Sequence, residues 1–534
     1  MAQQRPRKPD RRRSGAPRRR FLSYSFSLAA LFLGALAACA PVPPDPATAT
    51  ARHLDAIRDR PAQLGAFLRA FPKGADLHNH LSGAILAESF IRWAIADGEC
   101  IDRTKLALAR APCTAPLIPA AAAQADKPLL AALVASLSMQ GFQPDGETGH
   151  DHFFATFDKF AAAEWDREGD MLAEALRHAA RDHVVYLELM WSPGMPAARH
   201  LGKAIGWDPD LARLRARLMA SSGIDTIVTR VRHEMDAHEA RARALLHCAE
   251  PARREPACDV TVRYLAQIIR VFPPEQVFAE DVFAFHLVAA DPRFVGLNIV
   301  GPEDDPTSLR DYALHMRMFG YLHGIDPAVA MSLHAGELVL GQRGGLARVQ
   351  PADVRFHIRQ AVEVAGARRI GHGVDIFSED QWQQLMAAMA ARHVLVEINL
   401  TSNAQILGVT GDRHPFMTYW RAGVPVALST DDEGVERIDL THEYVRATET
   451  YHLGFPQLVA LSRNAIAYGF IPGANLWADV ERFTIASACA GDALGAAQPG
   501  PACAAFLATS EKARLQWQLE AKLATFEAGN QATQ

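Results

Sequence analysis

Two histidines stand one residue apart in GADLHNHLSG, residues 74–83, at the end of a short apolar run. On an extended strand, residues two apart share a face, so His78 and His80 would project together with Cα atoms roughly 6–7 Å apart. Their ring nitrogens then reach one ion at about 2.0–2.1 Å. Three more polar groups close other apolar runs: His334 and Glu337 in HAGE, His372 in RIGHGV, and Asp431 with Asp432 in STDDEG. Neutral nitrogens from His78, His80 and His334 with the carboxylate of Asp431 make a donor set suited to zinc, one position staying open for water. Four unrelated buried polar side chains would each carry a desolvation penalty instead. The run FVGLNIVG offers no lysine or glutamate to bridge a second ion, so a single Zn2+ is expected.

A bound zinc lowers the pKa of its water to about 7, and other groups must orient that water and handle protons. His372 is placed for the first task, with Gly371 and Gly373 allowing close backbone approach. Glu337, three residues beyond His334, can give a proton to a ring nitrogen. The plainer reading makes it a first-turn helix residue favoured by the dipole. Asp431 and Asp432 are neighbours that cannot easily both face the ion, so one can ligate while the other receives a substrate proton or hydrogen bond.

These residues need a frame. Apolar runs at 75–80, 184–190, 224–230, 294–301, 330–336, 369–374, 394–400 and 424–432 read as strands, and longer helical stretches separate them. Runs so continuous in Val, Ile and Leu are buried on both faces, and intervening helices demand parallel pairing. The expected fold is a (β/α)8 TIM barrel, where chemistry gathers at the C-terminal strand ends. A doubly wound sheet would bring a glycine-rich phosphate loop after an early strand, and none is present. Residues 97–150 and 236–260 read as insertions, 51–71 as an amphipathic helix and 510–528 as a terminal helix.

The N-terminus sets the compartment. RPRKPDRRRSGAPRRR is basic, FLSYSFSLAALFLGALAA is apolar, and Leu36, Ala37, Ala38 and Cys39 resemble a bacterial lipobox. Arg18, Arg19, Arg20, Phe21 and Leu22 resemble a twin-arginine signal. Residues 1–38 are therefore expected as a signal peptide, Cys39 as a lipidated anchor, 39–50 as an extended tether and 51–534 as the barrel. An uncut membrane anchor is the rival reading. Either way the protein acts outside the cytoplasm, and the lipobox reading makes it a periplasmic or cell-surface lipoprotein. The other six cysteines form three close pairs, which an oxidising compartment favours bridging locally. A formal charge of -5 offers no basic field, so no nucleic-acid partner is expected. The oligomeric state stays open, a homodimer among the options.

HNH, HAGE, RIGHGV and STDDEG, in this order, resemble the adenosine deaminase branch of the metal-dependent amidohydrolase superfamily. The export signal and cysteine pairs are similar to the exported adenosine deaminase growth factor type and to bacterial lipoprotein relatives. The resemblance implies that His78, His80, His334 and Asp431 hold zinc while His372 positions the attacking hydroxide at purine C6. It also implies that Glu337 protonates N1, Asp432 hydrogen-bonds N7, and the Gly301 amide faces N3. The product would be a 6-oxo purine nucleoside and ammonia. Ser82 departs from the family pattern, which places there an aspartate near the ribose 5′-hydroxyl. Met190 and Glu433 depart too, where arginine and proline are usual. Two other readings keep their place: a metal-dependent amidohydrolase cleaving an amide, lactone or ester, and a surface protein that binds a nucleoside without processing it.

Overall fold

The computed structural model describes residues 46–341 and 344–531; the expected signal peptide and Cys39 lie outside them. Eight strands form one sheet in sequence order: β1 (Gly74–His80), β2 (Val184–Trp191), β3 (Thr261–Ile269), β4 (Phe294–Val300), β5 (Ala330–Ala335), β6 (Arg369–His372), β7 (Leu395–Ile398) and β8 (Val426–Leu428). Every neighbouring pair is parallel. The sheet closes on itself through a parallel bridge between Asn79 and Asp431. His80 N–H donates to the Asp431 carbonyl at 3.3 Å, and Asp431 N–H donates to the His78 carbonyl at 2.8 Å. This is the expected barrel, and its closing seam is made by three of the residues singled out for chemistry.

The third strand lies elsewhere than expected. Residues 224–230 belong to a helix, α4 (Gly223–Leu245), and the true β3 begins at Thr261. Ile224, Ile227, Val228, Val231 and Met235 are buried along one face of α4, a helical repeat that its β-branched residues disguise. The second insertion is correspondingly shorter, since residues 236–245 complete α4.

The expected helix over 51–71 is two helices, α1 (Pro46–Ile57) and α2 (Pro61–Ala70), divided at a proline that can start a helix but not continue one. The tether does not stay extended over 46–50: α1 begins at Pro46, and Ala49 and Thr50 are buried. The terminal helix, α6 (Glu511–Gln531), packs on α1. Among the described residues no helix is long and apolar enough to cross a membrane.

The 97–150 insertion forms a small three-stranded antiparallel sheet, Cys100–Asp102 flanked by Ala107–Ala109 and Ile118–Pro119, and leads into helix α3 (Gly149–Phe160). It lies against the loops at the C-terminal ends of the barrel. Met139 N–H donates to the Val435 carbonyl at 2.7 Å, and a Cβ on Gly149 would stand 1.9 Å from the Gln405 carbonyl oxygen, in helix α5 (Leu400–Leu407). The three cysteine pairs are bridged locally, Cys100 to Cys113, Cys248 to Cys258 and Cys489 to Cys503.

Candidate metal centre

The barrel brings His78 and His80 from β1, His334 from β5, His372 from β6 and Asp431 from just beyond β8 together at its C-terminal end. Their imidazole centroids lie 4.5 to 5.4 Å apart for the pairs among His78, His80 and His334. His372 stands 4.9 Å from His78 and 5.1 Å from His334. Asp431 Oδ1 is 3.4 Å from His78 Nε2 and 3.2 Å from His80 Nε2. Donors held at about 2.0–2.1 Å by a tetrahedral ion stand about 3.3 Å from one another, so this spacing fits zinc. His372 Nε2 lies on the other side of the carboxylate, 3.6 Å from Oδ2. By distance alone His372 groups with His78, His334 and Asp431, while His80 groups with Asp431 and Asp432. All these groups are buried, none more than 9% exposed. His78 Nε2 is buried without a hydrogen-bond partner, as a lone pair reserved for an ion would be.

What the rings do at their far nitrogens separates them. His78 Nδ1 meets Glu397 Oε2 at 2.7 Å, His80 Nδ1 meets Gln267 Oε1 at 2.8 Å, and His334 Nδ1 meets Asn298 Oδ1 at 2.9 Å. Each acceptor takes an Nδ1 proton and leaves Nε2 free for metal, a hydrogen bond on the far side of the ring that orients a ligating imidazole. Glu397 is itself held, accepting from Ser332 Oγ at 2.7 Å and from Arg369 Nε at 2.6 Å, and Arg369 reaches Glu188 at 2.6 Å. Despite its burial, the Arg369 charge and His78 hold the Glu397 carboxyl down to about 2. His372 faces amides instead, Asn403 Nδ2 at 2.9 Å and Asn399 Nδ2 at 3.4 Å. Sequence reasoning did not single out Glu397, Gln267, Asn298 or Asn403. The signal for the first three is a polar residue inside an apolar run, as in VLVEINL, YLAQII and FVGLNIVG.

Two carboxyls share the rim. Glu337 follows β5 in an irregular stretch, so the helix-start reading is set aside. Its own amide and that of Gly336 donate to Glu303, at 2.8 and 3.1 Å, and Glu303 in turn accepts from His357 Nδ1 at 2.5 Å. Glu337 Oε2 points back to His372 Nε2 at 3.7 Å. Burial, and then the charge of Asp431, push the Glu337 carboxyl well above the usual carboxylate range. Burial lifts Asp432 to about 7 and holds the His372 ring down to about 3. Burial thus disfavours charge on both the Glu337 carboxyl and the His372 imidazole, which face the same space.

The backbone is strained where it serves the site. His372 and Asp431 have φ of +69° and +64°, a left-handed region that non-glycine residues occupy at functional positions. Gly371 has no alternative residue, since a Cβ there would stand 2.7 Å from His78 Cε1. A Cβ on Gly83 would fall 1.5 Å from Asp432 Oδ1. Gly301 follows β4 with φ of +96°, its carbonyl accepting from Arg270 Nε at 2.8 Å. Ser82 is half-buried at the lip of the barrel, facing Glu164, whose carboxyl burial lifts to about 7. Met190 is buried in an apolar cluster with Leu265, and Glu433 accepts from Asn79 Nδ2 at 3.2 Å. A groove of about 1150 Å³ among α1, α2 and α6 holds none of these residues.

A closed parallel barrel with imidazoles and a carboxylate converging at its C-terminal end defines a metal-site barrel of the amidohydrolase kind. The model of the adenosine deaminase family matches residues 116–478, more than half of the chain, and the chain belongs to that family. It is 33% identical over 147 residues to an adenosine deaminase of Shewanella loihica, 27% of this chain and 39% of that one. It is 25% identical over 223 residues to an adenosine deaminase of Shewanella pealeana, 41% of this chain and 59% of that one. The matched stretches therefore span less than two thirds of these relatives' length. Among solved structures, an adenine deaminase from Arthrobacter aurescens aligns at 16% identity and a TM-score of 0.46, over 75% of this chain and 94% of that one.

Proposed function

We propose that the protein is a zinc-dependent hydrolase that deaminates adenosine or a close 6-aminopurine nucleoside. The observation that carries this reading is the meeting, on one buried rim, of a metal donor set with the Glu337 carboxyl and the His372 imidazole. Zinc held by His78, His80, His334 and Asp431 would supply a Lewis acid that ionises water near neutral pH. His372 holds the attacking oxygen against purine C6. Glu337 donates its proton to ring N1, which draws electrons from C6 and opens it to attack. Asp432 hydrogen-bonds N7 and the Gly301 amide faces N3, so the ring is fixed by its edges. Oxygen adds to C6, the exocyclic C–N bond breaks, and the nitrogen leaves as ammonia with protons returned by the rim groups. Ser82 sits toward the sugar. The family membership and the names of the curated relatives support the same substrate class. The three local disulfides support export to an oxidising compartment; the lipobox-like sequence over residues 36–39 supports Cys39 as the lipid anchor.

The test is a panel of adenosine, 2′-deoxyadenosine, adenine and 5′-modified adenosines on the zinc-replete chain, followed by ultraviolet change and ammonia release. Turnover of nucleosides ahead of the free base is expected. No turnover with any member would reject the assignment.

A further inference from the structure

We propose that His414 is a positioning residue which, through Asn403, fixes the tautomer of His372 so that its Nε2 carries the proton and faces the site as a hydrogen-bond donor. The inference rests on the deaminase reading for its kinetic consequence, though not for the tautomer itself.

The relay starts at the backbone. Phe416 N–H donates to His414 Nδ1 at 3.2 Å. A backbone amide only donates, so Nδ1 of His414 is an acceptor and bears no proton. The ring is neutral, because burial and then the charge of Arg446 hold it down to about 3. Its one proton therefore sits on Nε2, which donates to Asn403 Oδ1 at 2.9 Å. That bond sets the direction of the Asn403 amide, since the reverse orientation would oppose two N–H groups. Asn403 Nδ2 must then donate to His372 Nδ1, the 2.9 Å contact already described. Asn399 Nδ2, at 3.4 Å, approaches the same nitrogen as a second donor. With Nδ1 accepting, neutral His372 holds its proton on Nε2, the atom that is buried without a hydrogen-bond partner and points between Glu337 and Asp431.

This is the opposite of His78, His80 and His334, whose Nδ1 atoms all face acceptors. One cluster thus holds imidazoles in two tautomeric states. Three offer lone pairs, and the fourth offers an N–H. The difference removes His372 from the ligand set that distance alone would give it. It also fixes its part in the reaction as donor to the attacking oxygen and not acceptor of its proton.

The experiment reads the tautomer in the zinc-loaded protein with isotopically labelled histidine, by long-range proton–nitrogen correlation. His372 protonated at Nε2, beside ligating rings protonated at Nδ1, is the expected result. Asn403→Asp places an acceptor at His372 Nδ1 and reverses the tautomer, with kcat falling about a hundredfold or more as a wrongly protonated imidazole does elsewhere. KM and zinc content stay within about threefold. His414→Phe frees the amide to rotate and lowers kcat about tenfold, and His414→Gln, which restores an N–H toward Asn403, recovers most of it. A resting His372 protonated at Nδ1, or an Asn403→Asp protein with unchanged tautomer and unchanged kcat, overturns the proposal. The resting-state spectrum needs no substrate, so an inactive protein would count against the deaminase reading alone.

Discussion

At the barrel rim, His78, His80 and His334 each lean on an acceptor from another strand, and Glu397 behind His78 is fixed in turn by Ser332 and Arg369. The 97–150 insertion and its helix α3 are held quite differently. There a disulfide, the stacked Phe90 and Phe160 with centroids 4.4 Å apart, and apolar packing do most of the holding. Besides the main-chain bond from Met139 to Val435, a buried side-chain contact joins this region to the rim: His150 Nε2 to Asp304 Oδ1 at 2.9 Å, one residue from the Glu303 that holds the Glu337 loop. The rim is over-determined by directional bonds and the insertion is not. A lost group should therefore be felt as chemistry in the first region and as stability in the second.

The sharpest break of that contrast is Asp431→Ala, which removes a donor shared by His78 and His80. Bound zinc should fall to background by elemental analysis, and turnover by about ten-thousandfold or more. Next comes Glu337→Gln, which should keep zinc and the fold while kcat drops about a hundred- to ten-thousandfold, a range typical of a lost general acid. Full activity in that variant would take Glu337 out of the proton path. The smallest effect belongs to the insertion: His150→Phe should cost about 1–3 kcal/mol in urea unfolding, because buried Asp304 loses its hydrogen bond and keeps only Arg348 at 3.6 Å, and leave kcat within about threefold. Its pH dependence has a definite sign. Burial opposes the charged ring, but Asp304 and then Asp151 outweigh it, so the folded pKa is raised. The stabilisation is then full below the unfolded value of about 6.5 and is lost as pH climbs through the raised folded value. The gap between wild type and variant should narrow at alkaline pH, where only the neutral ring's hydrogen bond remains, and a gap that widened there would contradict the contact's role.

The donor set was legible because each of its members closes an apolar run, where a polar side chain is conspicuous. Its supports were harder to read. Gln267 lies in TVRYLAQII, whose Arg263 and Gln267 interrupt the apolar pattern, while IDTIVTR nearby is richer in β-branched residues and is a helix. Local composition favoured the wrong segment, and only the burial spacing over all of α4 decides the matter. Asn403 and His414 were illegible for another reason: a tautomer is a property of a chain of bonds, and no single residue type announces it.

The barrel's first and last staves meet through main-chain bonds of His78, His80 and Asp431, whose side chains also surround the proposed cation. An ion gripped there would clasp the cylinder shut as well as serve the proposed reaction. Chelation would then loosen the wall itself, and the opening would begin at that joint.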